Sequence, residues 1–217
     1  AWDKLDITLG TRFDYTVKEI HRTKTSSFGP VAPIADDRGF FNVAPKLIVD
    51  YRFTPTLMLY GSTGLGFKPG GFSAIINPPS SPRFDTEQAW ENEIGVKSSW
   101  WDGKLDANVT VFYNYIWDYQ VERSIAGTTD LTIFNAPHTP AFGAEVEAIA
   151  RPVKGLEFSA AFGYTHITFD RFNDPSTGSS LAGNRAPFTP EWNASLAAQY
   201  KLPCGFFSRI EFQTVGD

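Results

Sequence analysis

The 217-residue sequence predicts an all-β fold: about eight or nine antiparallel strands forming a segment of a transmembrane β-barrel. Three observations support this prediction. Apolar and polar residues alternate over long stretches, these stretches are longer than the strands of most soluble proteins, and short and long connections follow one another in turn. The alternation predicts two distinct sheet faces, and the other two observations indicate where the sheet lies.

Alternation with a period of two residues defines the strands. Between residues 5 and 17, apolar side chains such as Leu9 alternate with polar ones such as Arg12, which no helical period fits. All charged residues of the predicted strands fall on one face, so the two faces differ chemically. The predicted strands are 5–17, 41–53, 57–68, 90–101, 105–121, 142–151, 156–168 and 192–202, with a ninth from near Phe207.

The length of the strands and their aromatic ends favour a membrane. A stretch such as 105–121 far exceeds the roughly five or six residues usual in soluble sheets and is long enough for a tilted membrane-spanning strand. Tyrosine and tryptophan mark both ends of the apolar tracks, for example Trp90 beside a long connection and Trp100 beside a short one. These side chains prefer the membrane–water interface. The apolar face is therefore expected to face lipid.

The connections are alternately short and long. Short ones lie at 54–56, 102–103, 152–155 and 203–205, and contain the proline and glycine typical of tight turns. Long ones are expected at 18–40, 69–89, 122–141 and 169–191. All the long connections would emerge at one end of the sheet, as in outer-membrane barrels.

Composition and charge argue against several functions. The net charge is −5 without a basic cluster, so no nucleic-acid partner is expected. Three widely separated histidines, at 21, 138 and 166, give no metal-ligand spacing, and Cys204 has no second cysteine to pair with. No catalytic constellation is found. The protein is predicted not to be an enzyme, with no cofactor, no catalytic residue and no metal site.

The glycine-rich stretch Gly64–Phe72, GLGFKPGGF, admits two interpretations. A phosphate-binding loop would require a helix directly after it, whereas Pro69 and two glycines are followed by a loop rich in proline and serine. The alternative is the end of a strand, with Lys68 and the small residues before it facing inward. The strand interpretation is preferred, because proline and glycine end a strand at a sharp turn.

Three stretches of this chain resemble the barrel of TonB-dependent outer-membrane receptors. They are PKLIVDYRFTPTLMLYGSTGLGFKPGGF, WENEIGVKSSWWDGKLDANVTVFYNYIWDYQV and GAEVEAIARPVKGLEFSAAFGYTHI. The resemblance implies a barrel of about 22 strands, plugged by an N-terminal globular domain. It also implies energised uptake of a large, scarce ligand, most often a ferric siderophore, and contact with the TonB complex.

The resemblance sets expectations for domains and partners. Residues 1–217 are expected to form part of one outer-membrane barrel domain of a Gram-negative bacterium, in contact with outer-membrane lipid. The plug and the C-terminal end of the barrel are expected to be absent from this sequence. Contact with TonB would be made through the missing N-terminal part.

Four residues near the expected mouth are candidate ligand contacts: Lys68, Phe72, Arg171 and Arg185. Cationic and aromatic groups suit an anionic or aromatic iron chelate. Two other functions remain open on the sequence, a passive porin-type channel and a soluble β-sandwich binding module. In a β-sandwich the apolar face would lie in a closed core, whereas in a barrel Leu9, Val111 and Leu196 would point outward.

Overall fold

The computed structural model describes residues 2–26, 29–73, 82–124, 127, 131–174 and 177–216. A short 3₁₀ helix, Trp2–Lys4, precedes a series of strands. The strands are β1 (Leu5–Ser26), β2 (Gly29–Thr54), β3 (Leu57–Lys68), β4 (Gly71–Phe72), β5 (Arg83–Phe84), β6 (Glu87–Trp100), β7 (Leu105–Ser124), β8 (Leu131–His138), β9 (Ala141–Ala150), β10 (Leu156–Ile167), β11 (Trp192–Lys201) and β12 (Phe207–Val215). Among the described residues no helix is long and apolar enough to span a membrane.

The strands form one antiparallel sheet in which chain neighbours pair. The order is β1-β2-β3-β6-β7-β9-β10-β11-β12, β8 pairs with β7 beside this path, and β4 and β5 form a separate two-stranded ribbon. Strands β1 and β12 are the two edges, so the described sheet is an open arc. This confirms the predicted all-β antiparallel barrel segment.

The apolar face of the sheet is exposed, as predicted for a barrel whose apolar side chains point outward. Leu9, Val111 and Leu196 are 77%, 47% and 58% exposed. A β-sandwich would bury such residues between two layers, so the described sheet excludes that alternative. Exposed aromatic residues mark both ends of the apolar face: Tyr15, Trp90 and Trp192 at the long-connection end, and Tyr51, Trp100 and Tyr200 at the short-turn end.

The short turns occur where they were predicted. The strongest example is the turn after β6, where Trp101, Asp102 and Gly103 have φ values of 55°, 55° and 80°. A left-handed backbone suits Asp and Gly and is unusual for Trp. Tight turns of this hand match the twist of the paired strands, so β6 leads directly into β7.

Two of the predicted long connections are largely strand, and here the prediction was wrong. In place of a loop over 18–40, β1 continues to Ser26 and β2 begins at Gly29. In place of a loop over 122–141, β7 continues and β8 pairs back against it. Glu19 and His21 are exposed and occupy positions at which continued alternation would place outward-facing apolar residues. This part of β1 therefore lacks the sequence pattern of a membrane-spanning strand.

A hydrophobic core lies at the long-connection end. It is formed by β7, β8, β9, β10 and the connection between β10 and β11. Bridges between Thr168 and Arg185 and between Asn173 and Ser180 fold this connection onto itself. The buried members of the core are Ile116, Val121, Ala136, Ala141, Ile167, Phe169, Phe172 and Ala186.

Candidate ligand-binding rim

The sheet splits at its long-connection end. Pairing between β2 and β3 stops at Lys46 and Gly64, although β1 and β2 remain paired far beyond this point. The next residue of β2 toward this end is Pro45, which has no N–H to donate to β3. Pairing between β6 and β7 likewise stops at Gln88 and Trp117. Two hairpins, β1–β2 and β7–β8, therefore extend on either side of a gap above β3 and β6.

The described parts of the connection between β3 and β6, residues 69–73 and 82–86, lie in this gap and are here together called the rim loop. The β4–β5 ribbon holds the two parts together. Position 70 requires glycine, because its backbone lies too close to neighbouring atoms to leave room for a side chain. A Cβ atom at this position would lie 2.4 Å from the carbonyl oxygen of Phe84 and 2.6 Å from the ring of Phe40. The rim loop thus packs directly against β2.

Two reciprocal ion pairs join the rim loop to the β1–β2 hairpin. Arg83 donates from Nε and Nη2 to the two carboxylate oxygens of Asp36, each at 2.5 Å. In the opposite direction, Arg38 donates from Nη2 to Asp85 Oδ1 at 2.9 Å and from Nη1 to the Phe84 carbonyl at 3.4 Å. The hydrogen bond from Arg83 lowers the pKa of Asp36, and the same bond raises the pKa of Arg83.

On the other side, Gln120 of β7 binds both parts of the rim loop. Its side-chain amide nitrogen lies 3.2 Å from the Lys68 carbonyl, 3.1 Å from the Pro69 carbonyl and 3.0 Å from the Asp85 carbonyl. Its backbone N–H donates to Glu87 Oε2 at 2.7 Å. Gln120 is buried, so these bonds are shielded from competing water.

Asn135 of β8 continues this contact and also lines an open pocket. It accepts a hydrogen bond from the Asp85 N–H at 2.8 Å and donates to the carbonyls of Asp85 and Asp118 at 2.9 and 2.8 Å. The pocket, called the rim pocket, has a volume of about 520 Å³. Its lining is Asn135, Pro137, Asp170, Arg171, Phe172, Asn173, Ser180 and Ala182.

Arg171 is the predicted candidate that lies in the rim pocket. Its side chain is 81% exposed and its guanidinium lies 3.7 Å from Asp170, a loose ion pair at the surface. Its backbone forms a bridge with His138 at the end of β8. A guanidinium in this position has donors available for a carboxylate or another anionic oxygen group.

Lys68 and Phe72 belong to the rim loop and its base. Lys68 is the last residue of β3, is exposed, and lies opposite Glu87 in the register. Phe72 is half-buried and pairs with Arg83 in the β4–β5 ribbon. Neither residue lines the rim pocket.

Arg185 is tied to the connection between β10 and β11. Its Nε donates to the Thr189 carbonyl at 2.9 Å and its Nη2 to the Thr165 carbonyl at 2.7 Å. Its Nη1 lies 3.6 Å from Glu191. These bonds hold the base of the connection in place. The structure therefore does not bring the four candidates into the rim pocket together.

The residues that assemble the rim were not predicted from the sequence. Gln120 and Asn135 are single polar residues without a motif. The ion pairs did leave a signal, because the Asp36–Arg38 segment and the Arg83–Asp85 segment carry their charges in opposite order, as DDR and RFD. Among the described residues no group of three or more His, Cys, Asp or Glu side chains is arranged to hold a metal ion.

Comparisons with known proteins agree with this architecture. The family model "TonB dependent receptor-like, beta-barrel" matches residues 1–217. The ferric yersiniabactin uptake receptor FyuA from Yersinia pestis aligns with a TM-score of 0.77 at 22% identity, covering 99% of this chain and 32% of that one. The siderophore receptor PiuA from Acinetobacter baumannii gives 0.74 at 21% identity, covering 98% and 31%.

A metal transporter shares the same fold. The copper transporter OprC aligns with a TM-score of 0.69 at 14% identity, covering 99% of this chain and 33% of that one. The chain therefore spans about a third of the length of these solved structures. At these identities the likeness shows the fold.

Proposed function

Because the chain belongs to the TonB-dependent receptor β-barrel family, we propose that it is part of an outer-membrane receptor for TonB-coupled uptake of a large ligand. The proposed location is the outer membrane of a Gram-negative bacterium, with the apolar face against lipid. Other parts of the protein would supply the plug and the contact with TonB. The closed parent barrel would leave no strand edge unpaired in lipid.

The proposed ligand is a ferric siderophore. The observation that carries this proposal is the exposed guanidinium of Arg171 in an open pocket at the end of the sheet where long connections cluster. Ferric siderophores present anionic oxygen atoms and often aromatic rings, which suit arginine and aromatic side chains. FyuA and PiuA, which share the fold, are receptors of this class by description.

The four candidate contacts are proposed to act from different parts of the rim. Arg171 would meet the ligand in the rim pocket, while Lys68 and Phe72 would meet it from the rim loop and its base. Arg185 would contribute from the base of the β10–β11 connection, where part of its hydrogen-bonding capacity already serves carbonyl groups.

Transport by the full-length protein tests the receptor assignment. A Gram-negative strain lacking its own siderophore receptors would express it, with and without functional TonB. Uptake of radiolabelled iron from ferric yersiniabactin or from a ferric catecholate complex is expected to saturate and to require TonB. Non-saturating uptake without TonB would instead establish a passive channel. TonB-dependent uptake of copper without uptake of either iron chelate would support the receptor assignment, but it would contradict a ferric siderophore as the ligand.

Substitution of Arg171 tests the proposed ligand contact. Arg171→Ala is expected to raise the half-saturating concentration of the transported chelate about tenfold, because a hydrogen bond to a charged group contributes roughly 1.5 kcal/mol or more. The control is Arg209→Ala, which removes another arginine, at the start of β12, where it pairs with Glu211 at 3.0 Å. Equal effects of the two substitutions would contradict a contact at Arg171.

A further inference from the structure

The rim loop fills a gap in which backbone pairing has ended, so its position depends on side chains. To one side, the Arg83–Asp36 and Arg38–Asp85 pairs hold it against β2. To the other side, Gln120 holds it against β7. The ion pairs are partly exposed, and exposed ion pairs contribute little to stability. The buried Gln120 is therefore the more effective constraint.

The arrangement around Gln120 opposes opening of the loop. Its amide nitrogen carries two hydrogens and lies within hydrogen-bonding distance of carbonyl oxygens on both parts of the loop. If the loop moved away, a buried amide and several carbonyl groups would lose their partners together. Such groups are costly to leave without hydrogen bonds. Ser73 adds a second anchor, since its hydroxyl accepts a hydrogen bond from the Ile133 N–H at 2.9 Å.

We propose that Gln120 is a positioning residue that fixes the described parts of the rim loop, 69–73 and 82–86, as a stationary wall of the mouth. The loop then meets the ligand already in place and does not move as a lid. This holds Phe72 at a fixed position near Lys68, which is itself held by its pairing in β3. Less conformational freedom is then lost on binding. The effect on ligand binding rests on the proposed function, whereas the fixed position of the loop does not.

Hydrogen exchange of the ligand-free, full-length receptor tests the fixed position. In the natural protein, the amides of 70–72 and 84–85 are expected to be protected. Gln120→Leu, which keeps the size but removes the amide, is expected to accelerate their exchange about tenfold or more, without effect on β3 and β6. The control is Gln88→Leu, an exposed glutamine on neighbouring β6. Unprotected amides in the natural protein, or no change in Gln120→Leu, would overturn the proposal.

Uptake measurements distinguish a positioning role of Gln120 from general damage to the protein. With ferric yersiniabactin and a ferric catecholate complex as probes, Gln120→Leu is expected to raise the half-saturating concentration about tenfold while the maximal rate stays the same. A lower maximal rate with unchanged half-saturation would overturn the positioning role. If the natural protein transports neither probe, the proposed function fails for these chelates, and the exchange result still decides whether the loop is fixed.

Discussion

Two valines on the same strand show how the membrane-facing sheet differs from the rim. Val111 is 47% exposed and Val121 is 1% exposed, although both lie on β7. Leu9 of β1 is exposed like Val111, whereas Phe169 at the rim is buried like Val121. The difference follows from the solvent: an apolar side chain is stable against hydrocarbon in the sheet but must be covered by protein where water surrounds it.

The comparison shows that the two regions are stabilised by different means. The sheet is held by continuous backbone pairing, which lipid makes obligatory because unpaired backbone groups are costly there. The rim is held by a small core, Gln120, Asn135 and ion pairs. Damage to the rim core is therefore expected to stay local, whereas a charge on the lipid face is expected to destabilise the whole barrel.

The largest effect is expected in the rim core. Phe169→Ala removes a ring that packs on Tyr119 and Phe172, with centroid distances of 6.2 and 5.2 Å. Burying a phenylalanine commonly contributes about 3–5 kcal/mol relative to alanine. Hydrogen exchange of the full-length receptor is expected to show faster opening of the rim and an unchanged sheet. Phe188→Ala is the control, because Phe188 is 93% exposed in the same connection. Equal loss of protection in the sheet would refute the separation of the two regions.

The next effect is expected on the lipid face. Val111→Arg places a charge near the middle of a spanning strand and is expected to lower the free energy of unfolding by about 2–4 kcal/mol. Denaturant unfolding of the full-length receptor in lipid vesicles measures the change. The control is Asn108→Arg, on the opposite face of the same strand, where Lys97 and Glu147 are its register neighbours and charged residues are already present. If both substitutions cost the same, the assignment of the two faces is wrong.

The smallest effect is expected from acid on the rim loop. Arg83 holds the pKa of Asp36 below its ordinary value, so the pair stabilises the docked loop above the unfolded-state pKa of Asp36. This contribution is lost as the pH falls through the lowered pKa. Amide exchange at 83–85, corrected for the chemical rate, is expected to be faster at about pH 3 than at neutral pH. Asp36→Asn is expected to reduce this dependence, because the substitution removes the carboxyl group that titrates. An unaltered pH response in Asp36→Asn would contradict the proposed contribution of Asp36.

Prediction from sequence succeeded where the membrane imposes a pattern. Strand 57–68 matches β3 to the residue, and 105–121 lies within Leu105–Ser124. It failed at 18–40, where β1 and β2 continue as a hairpin outside the apolar pattern. A strand with polar residues on its outward track resembles a loop in sequence, although its backbone pairing is the same.

The candidate site was predicted only in part. The sequence indicated the correct end of the sheet for Arg171, which lies in the rim pocket. It did not indicate Asn135, because a single asparagine acquires its role from the Asp85 backbone 50 residues away. Contacts of this kind depend on which loops meet above the sheet, and no local pattern records them.

The sequence by itself determined the membrane-facing parts of the strands, the faces they present and the end at which the turns are short. Alternation with a period of two residues and a single apolar face are sufficient to predict these features. A sheet is stable in lipid only when its strands are paired and its apolar side chains point outward. The tertiary structure alone decided how the rim is built. There Pro45 ends a ladder, and buried hydrogen bonds from Gln120 take over from backbone pairing between segments far apart in the chain.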